Sequence, residues 1–237
     1  MQDTRSDGNG GFSVRASTAA LLLNFQNPAI MNSNLLEMLQ SQLSDEALEK
    51  LSSRLGGVEK EKAAAATETA LSTLVTALAK NASTPDGAAA LNRALEQDHD
   101  GSILDHLSDF LGGRQPQNVN PRAVNGAGIL KHVLGEKKGG MVDMLSKMTG
   151  LEGDKTEGLL ATLAPIVMGA LGRQKREAGL DPDALGSLLR GTVEKKKAEN
   201  PTLDMITSFF DKDGDGSMLD DVAGMIGKRI FGGLFKR

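Results

Sequence analysis

The chain of 237 residues has no Cys, no Trp and no Tyr. Without Cys, disulfides, Cys-ligated zinc, iron–sulfur clusters and thiol catalysis are all excluded. Three His and seven Phe leave little material for acid–base chemistry or for stacking on nucleic-acid bases. Positive charge is not in excess either: 27 Lys and Arg stand against 31 Asp and Glu, a net charge of −4 with a pI near 5.5. A nucleic-acid partner, whose phosphates demand a basic face, is therefore not expected. Long apolar runs are missing as well. Leu159 to Gly172 is the longest, fourteen residues interrupted by Thr162 and containing Pro165, whereas a membrane-spanning helix needs about 20. That run reads as a buried core helix, and no transmembrane segment is expected. At the N-terminus, Arg5 and Arg15 flank a Gly-rich stretch, and Ala19 to Leu23 is too short for the apolar part of an export signal. The expected compartment is the cytoplasm. No Ser–His–Asp set, phosphate loop or dinucleotide fingerprint occurs, so no enzymatic activity is expected.

Apolar residues recur at helical spacing, and the alternation that marks strands is absent. Residues 1–30 lack that periodicity and read as a disordered leader, with Met31 as an alternative start. Leu35, Leu36, Leu39 and Leu43 predict a short helix. Ser44 caps a second one, with Asp45 and Glu46 in its first turn and Gly56 and Gly57 at its end. Leu71, Leu74, Val75 and Leu78 form the stripe of a long Ala-rich helix over 59–81. Thr84-Pro85-Asp86 places a cap before Pro at the first helical position of the next. The expected fold is all-α and multihelical.

The second half echoes the first. Val58-Glu59-Lys60-Glu61-Lys62 matches Leu151-Glu152-Gly153-Asp154-Lys155, and the stripe Leu71/Leu74/Val75/Leu78 matches Ala164/Val167/Met168/Leu171. Thr84-Pro85-Asp86 matches Asp181-Pro182-Asp183, with Leu91 and Arg93 falling on Leu188 and Arg190. The turn Asp98 to Asp105 matches Asp213 to Asp220. Four segments in the same order predict two tandem helical-bundle repeats, 31–112 and 126–237, joined by a Gly/Pro/Asn linker over 113–125. A weaker echo, Gly126-Ala127-Gly128-Ile129-Leu130, follows the linker without the aspartates.

The Met31-Asn32 start, the segment Leu163-Ala164-Pro165-Ile166-Val167-Met168-Gly169-Ala170-Leu171-Gly172 and the two Asp-Gly-Ser turns together carry a resemblance. The chain resembles the bacterial YidB-like family, catalogued as domain of unknown function 937, over roughly Met31 to Phe235. That resemblance implies a small multihelical bacterial protein and brings no catalytic residues with it.

Asp211, Asp213 and Asp215 occupy positions 1, 3 and 5 of a loop with Gly216 at position 6, the first half of an EF-hand-like calcium site. Ser217 supplies a carbonyl at position 7. Position 12 is Val222, so the usual closing Glu is missing, and Asp220 or Asp221 closes the loop instead. A shorter closing acid predicts weak Ca2+ binding, on the order of 0.1–1 mM. Glu96, Asp98, Asp100 and Asp105 form a second, weaker version in the first repeat, with His99 in a spacer position. The opposing reading makes both loops plain turns whose Asp or Ser side chains cap the following helix.

His106 and His132 have no second ligand at helical spacing and read as partly buried or surface residues. The Met-rich second half and the segment Ala223 to Arg237 suggest a protein partner or self-association. In that segment Met225, Ile226, Ile230, Phe231, Leu234 and Phe235 accompany Lys228, Arg229, Lys236 and Arg237. Packing on the second repeat is the favoured role of that segment, and peripheral contact with an anionic membrane is the alternative. Lys195, Lys196 and Lys197 read as a solvated run.

Overall fold

The computed structural model describes residues 35–200 and 202–211, and every regular element among them is helical. Helix α1 (Leu35–Gln42) and α2 (Asp45–Arg54) precede the long α3 (Lys60–Asn81) and α4 (Pro85–Asp98). A 3-10 turn at Ser102–His106 leads into the single turn α5 (Leu107–Leu111). After the connection come α6 (Gly126–Leu134), α7 (Lys138–Thr149), the long α8 (Gly153–Ala178), α9 (Pro182–Glu199) and α10 (Thr202–Asp211).

Local chemistry starts these helices where the sequence indicates. The Ser44 hydroxyl accepts from Ala47 N and the Thr84 hydroxyl from Gly87 N, while Asp181 accepts from Ala184 N. Each supplies one of the acceptors that the open N–H groups of a first turn lack. The matched Thr84-Pro85 and Asp181-Pro182 pairs thus do the same work at the heads of α4 and α9.

Helices α3 and α8 pack against each other at the centre, and the rest gather round them. The expected repeats do not close as separate bundles. Helix α9 lies on α3 and α4, α10 lies on α3, and α1 lies on α8, so both halves share one core running from Leu35 to Phe210. From Leu159 to Gly172 only Ala161 is not fully buried, as expected for a core helix. Each Leu buried there contributes about 1.5–3 kcal/mol.

Pro165 lies inside α8 and leaves the Ala161 carbonyl without the N–H four residues on. Gly126, the first residue of α6, closes on that carbonyl. A Cβ at Gly126 would stand 1.7 Å from Ala161 O.

The connection 113–125 is mostly exposed but anchored at three points. Pro116, Val119 and Ala123 are buried, and Asn118 takes φ 64, a left-handed conformation that Asn tolerates. Asn120 donates to Gln97 O and to Asp98, fastening the segment to the end of α4. In the Lys run, Lys195 and Lys197 are exposed as expected and Lys196 is half-buried. Lys195 pairs with Glu37 at 3.2 Å, Lys196 with Glu68 at 3.3 Å and Lys197 with Asp204 at 3.1 Å, tying α9 to α1, α3 and α10.

Candidate functional site

The acids of the first loop sit where α4 ends against α8. Glu96 bonds Lys175 at 2.8 Å, and this bond, with a second from Asn92, holds its carboxyl below the ordinary range. Asp98 accepts from Asn120 at 3.0 Å and faces Arg122 at 3.6 Å. Asp100 accepts from Ser102 N at 2.9 Å, and the hydrogen bonds from Ser102 lower its pKa. Asp105 pairs with Arg173 at 2.6 Å, and the same guanidinium donates to Gly101 O at 3.0 Å. The four side chains therefore turn to four different partners. Among the described residues no three acidic or His side chains come together where they could hold a metal ion.

Glycine makes this seat possible. Gly101, at φ 91, lies against Gly169 O and Arg173, and a Cβ there would come within 2.8 Å of Arg173 Cβ. Gly172 faces the His99 carbonyl so closely that a Cβ would stand 1.6 Å from it. Gly169 leaves room for Ile103. A turn from the first half is thus pressed onto a helix of the second.

In the second loop, the side chain of Asp211 and all of Asp213, Asp215, Ser217, Asp220 and Asp221 lie outside the described residues, as does the segment 223–237.

Beside the first turn, α4 and α6 border a cleft of about 690 Å³. Gly87, Ala90, Leu91 and Ala94 share one face of α4, following its helical repeat, and Gly128, Ile129, His132 and Val133 face them from α6. Leu78 of α3 and Met168 of α8 contribute further apolar surface, and Arg122 and Asn125 come from the connection. Its volume falls within the range of about 300–1000 Å³ usual for small-molecule sites.

His99 lines this cleft. It is 7% exposed, and its Nδ1 meets no hydrogen-bonding group. Burial pushes its pKa below the ordinary 6.5, against the opposing pull of Asp98 and Asp100. The imidazole is therefore neutral at neutral pH, a polar group with an unused nitrogen in a mostly apolar wall. His132 is exposed at the rim and His106 half-buried elsewhere.

A second depression beside α2 and α5 is lined by Glu46, Lys50 and Arg54. Its Arg54 is already committed to the carbonyls of Phe110 and Leu111, both at 2.8 Å.

Sequence reasoning passed over His99, because a loop template assigns it a spacer position. The one usable signal was chemical: a His between two Asp at a helix end. Arg173 and Lys175 were invisible as partners because they lie 68 and 79 residues from the acids they neutralise.

Among the described residues no helix is long and apolar enough to cross a membrane. No curated protein and no solved structure matches the chain. Residues 37–174 match the model of a family described as bacterial protein of unknown function, DUF937. That stretch holds the first acidic turn, most of α8 and the whole lining of the cleft, and it stops before the second loop. With more than half its length matched, the chain belongs to this bacterial family of unknown function.

Proposed function

We propose that the protein is a non-enzymatic helical binding module, built from two copies of a helical unit, whose recognition site is the cleft between α4 and α6. The observation that carries this reading is the cleft itself, with apolar surface from four helices and a buried His99 whose Nδ1 has no partner. The duplicated Thr84-Pro85 and Asp181-Pro182 caps support the two-copy origin. The test uses the apolar dye anilinonaphthalene sulfonate, which brightens on entering such a site. Ala94→Phe fills the α4 wall and is expected to reduce the dye signal severalfold while leaving the helical circular dichroism intact. Equal dye binding by a folded Ala94→Phe chain, or none by the natural one, overturns the reading.

A second reading concerns the other copy of the acidic loop, where Ca2+ would be held by Asp211, Asp213, Asp215 and Asp220 or Asp221, with the Ser217 carbonyl. A difference between the copies favours it. In the first, Lys175, Arg122 and Arg173 face Glu96, Asp98 and Asp105. From Asp211 to Asp221 there are five aspartates and a single Lys, and crowded carboxylates repel unless a cation joins them. Thermal unfolding in a calcium series, against EGTA and a magnesium control, tests this. The melting temperature is expected to rise with calcium and to stop responding in the Asp213→Asn, Asp215→Asn chain. A flat series through several millimolar ends it.

A further inference from the structure

Resting on the cleft as the recognition site, we infer that its ligand is an uncharged amphiphile: an apolar chain carrying a hydroxyl or primary amide. The chain lies against Leu78, Leu91, Ile129 and Met168, and the head group bonds His99. Three observations lead there. The α4 wall is small, with Gly87, Ala90 and Ala94 clearing space along one face for a chain to lie in. The charges at the mouth are already balanced, since Asp98 faces Arg122 at 3.6 Å and also takes the Asn120 amide. An anionic head at Arg122 would be repelled by the neighbouring Asp98 carboxylate, and a cationic head at Asp98 by the Arg122 guanidinium. Finally, the one buried side-chain polar atom of the cleft lining found without a partner among the described residues is an imidazole nitrogen, His99 Nδ1.

The chemistry of that imidazole narrows the head group. A neutral His carries its proton on one nitrogen, so Nδ1 is a donor in one tautomer and an acceptor in the other. A hydroxyl or primary amide both donates and accepts, and so satisfies either tautomer. A ketone or ether satisfies only one. His99 lines the cleft but its Nδ1 is itself covered, so the head group would reach that nitrogen by a turn of the ring about χ2. A ligand head group thus reaches the nitrogen through a side-chain movement alone, while the backbone of His99 stays pinned on Gly172.

The experiment holds the chain constant and varies the head: 1-octanol, octanoate and octylammonium, titrated into the full-length protein at pH 7.5 by NMR of its methyl and imidazole signals. Octanol is expected to bind about three- to tenfold more tightly than either ion, the range one net hydrogen bond supports. Shifts are expected at the His99 ring and at the methyls of Ile129 and Met168. In His99→Phe the three compounds are expected to bind alike. Equal affinities in the natural chain overturn this inference while leaving the cleft as a binding site, and so does an octanol preference that survives His99→Phe. Binding by none of the three overturns both. The head-group comparison in the natural chain stands on its own where His99→Phe does not fold, and His99→Asn, which keeps a hydrogen-bonding side chain, is expected to retain part of the preference.

Discussion

Helices α3 and α8 occupy matched places in the two halves and share the centre of the core, yet they meet their neighbours differently. On the register that matches their apolar stripes, α3 has Ser72, Thr76 and Ala79 where α8 has Pro165, Gly169 and Gly172. Two buried hydroxyls of α3 turn inward on their own helix: Thr73 donates to Thr69 O and Thr76 to Ser72 O, both at 2.8 Å. Such bonds let a polar residue be buried among helices without a partner elsewhere. Helix α8 instead opens its backbone to other segments. Pro165 leaves a carbonyl that Gly126 covers, and Gly169 and Gly172 admit the turn at 99–103. The same element is thus tuned for packing on helices in one half and on turns in the other, by exchanging hydroxyls and methyls for glycine.

The sharpest way to break that contrast is to add one methyl on α8 and to remove the matched one from α3. Gly172→Ala puts a Cβ on the His99 carbonyl and is expected to cost about 3 kcal/mol or more in urea unfolding. The reverse change at the matched position, Ala79→Gly, is expected to cost only about 1 kcal/mol. Equal costs would show that the two helices are packed alike after all. Next in size is Arg173→Ala, which removes the bonds to Asp105 and Gly101 O. A loss of about 1–2 kcal/mol is expected, shrinking with added salt. The matched Lys80→Ala serves as the comparison.

Acid should probe the α8 side through His99. Its folded-state pKa lies below the ordinary 6.5, so the unfolded chain binds the proton first. Stability is complete above pH 6.5 and falls as the pH drops toward the folded value. Asp100, lowered from 3.8, has the same sign and adds its loss only below about that pH. In His99→Phe the first decline is expected to vanish and the second to remain, which unfolding midpoints from pH 7.5 down to about 2.5 would report. The smallest effect has the opposite sign. Gly158 lies in α8 with nothing within 4 Å of a new Cβ, so Gly158→Ala is expected to gain about 0.5–1 kcal/mol. A loss there would mean that glycine serves α8 generally and not just where the turn and α6 approach.

What could be read from the residues follows the range of the forces involved. The caps at Ser44, Thr84 and Asp181 act over three residues, and the sequence shows them directly. The buried run Leu159 to Gly172 is equally plain, because apolar burial leaves its mark on composition. In the stretch 113–125, Pro, Asn and Gly signal turns but not which residues anchor them; that Pro116, Val119 and Ala123 are buried could not be read from the segment itself. Lys195 and Lys197 are solvated as read, but the partners of all three lysines lie on other helices and could not be seen in the run itself. At the cleft, the wall of α4 was legible as helix but not as a wall, because its counterpart on α6 begins some thirty residues later.

The seating of the 98–106 turn on α8 also sets an order of events during synthesis. The residues that hold this turn, Gly169, Gly172, Arg173 and Lys175, leave the ribosome about seventy residues after the turn itself. Until then the Gly101 carbonyl and the Asp105 carboxylate lack the Arg173 guanidinium, and the apolar side of α3 waits for α8 as well. A nascent chain halted before residue 153 should therefore be readily cleaved by protease along 98–112, and one released past 178 should resist. Separate expression of 31–112 and 126–237 should likewise give fragments that become protected only when mixed.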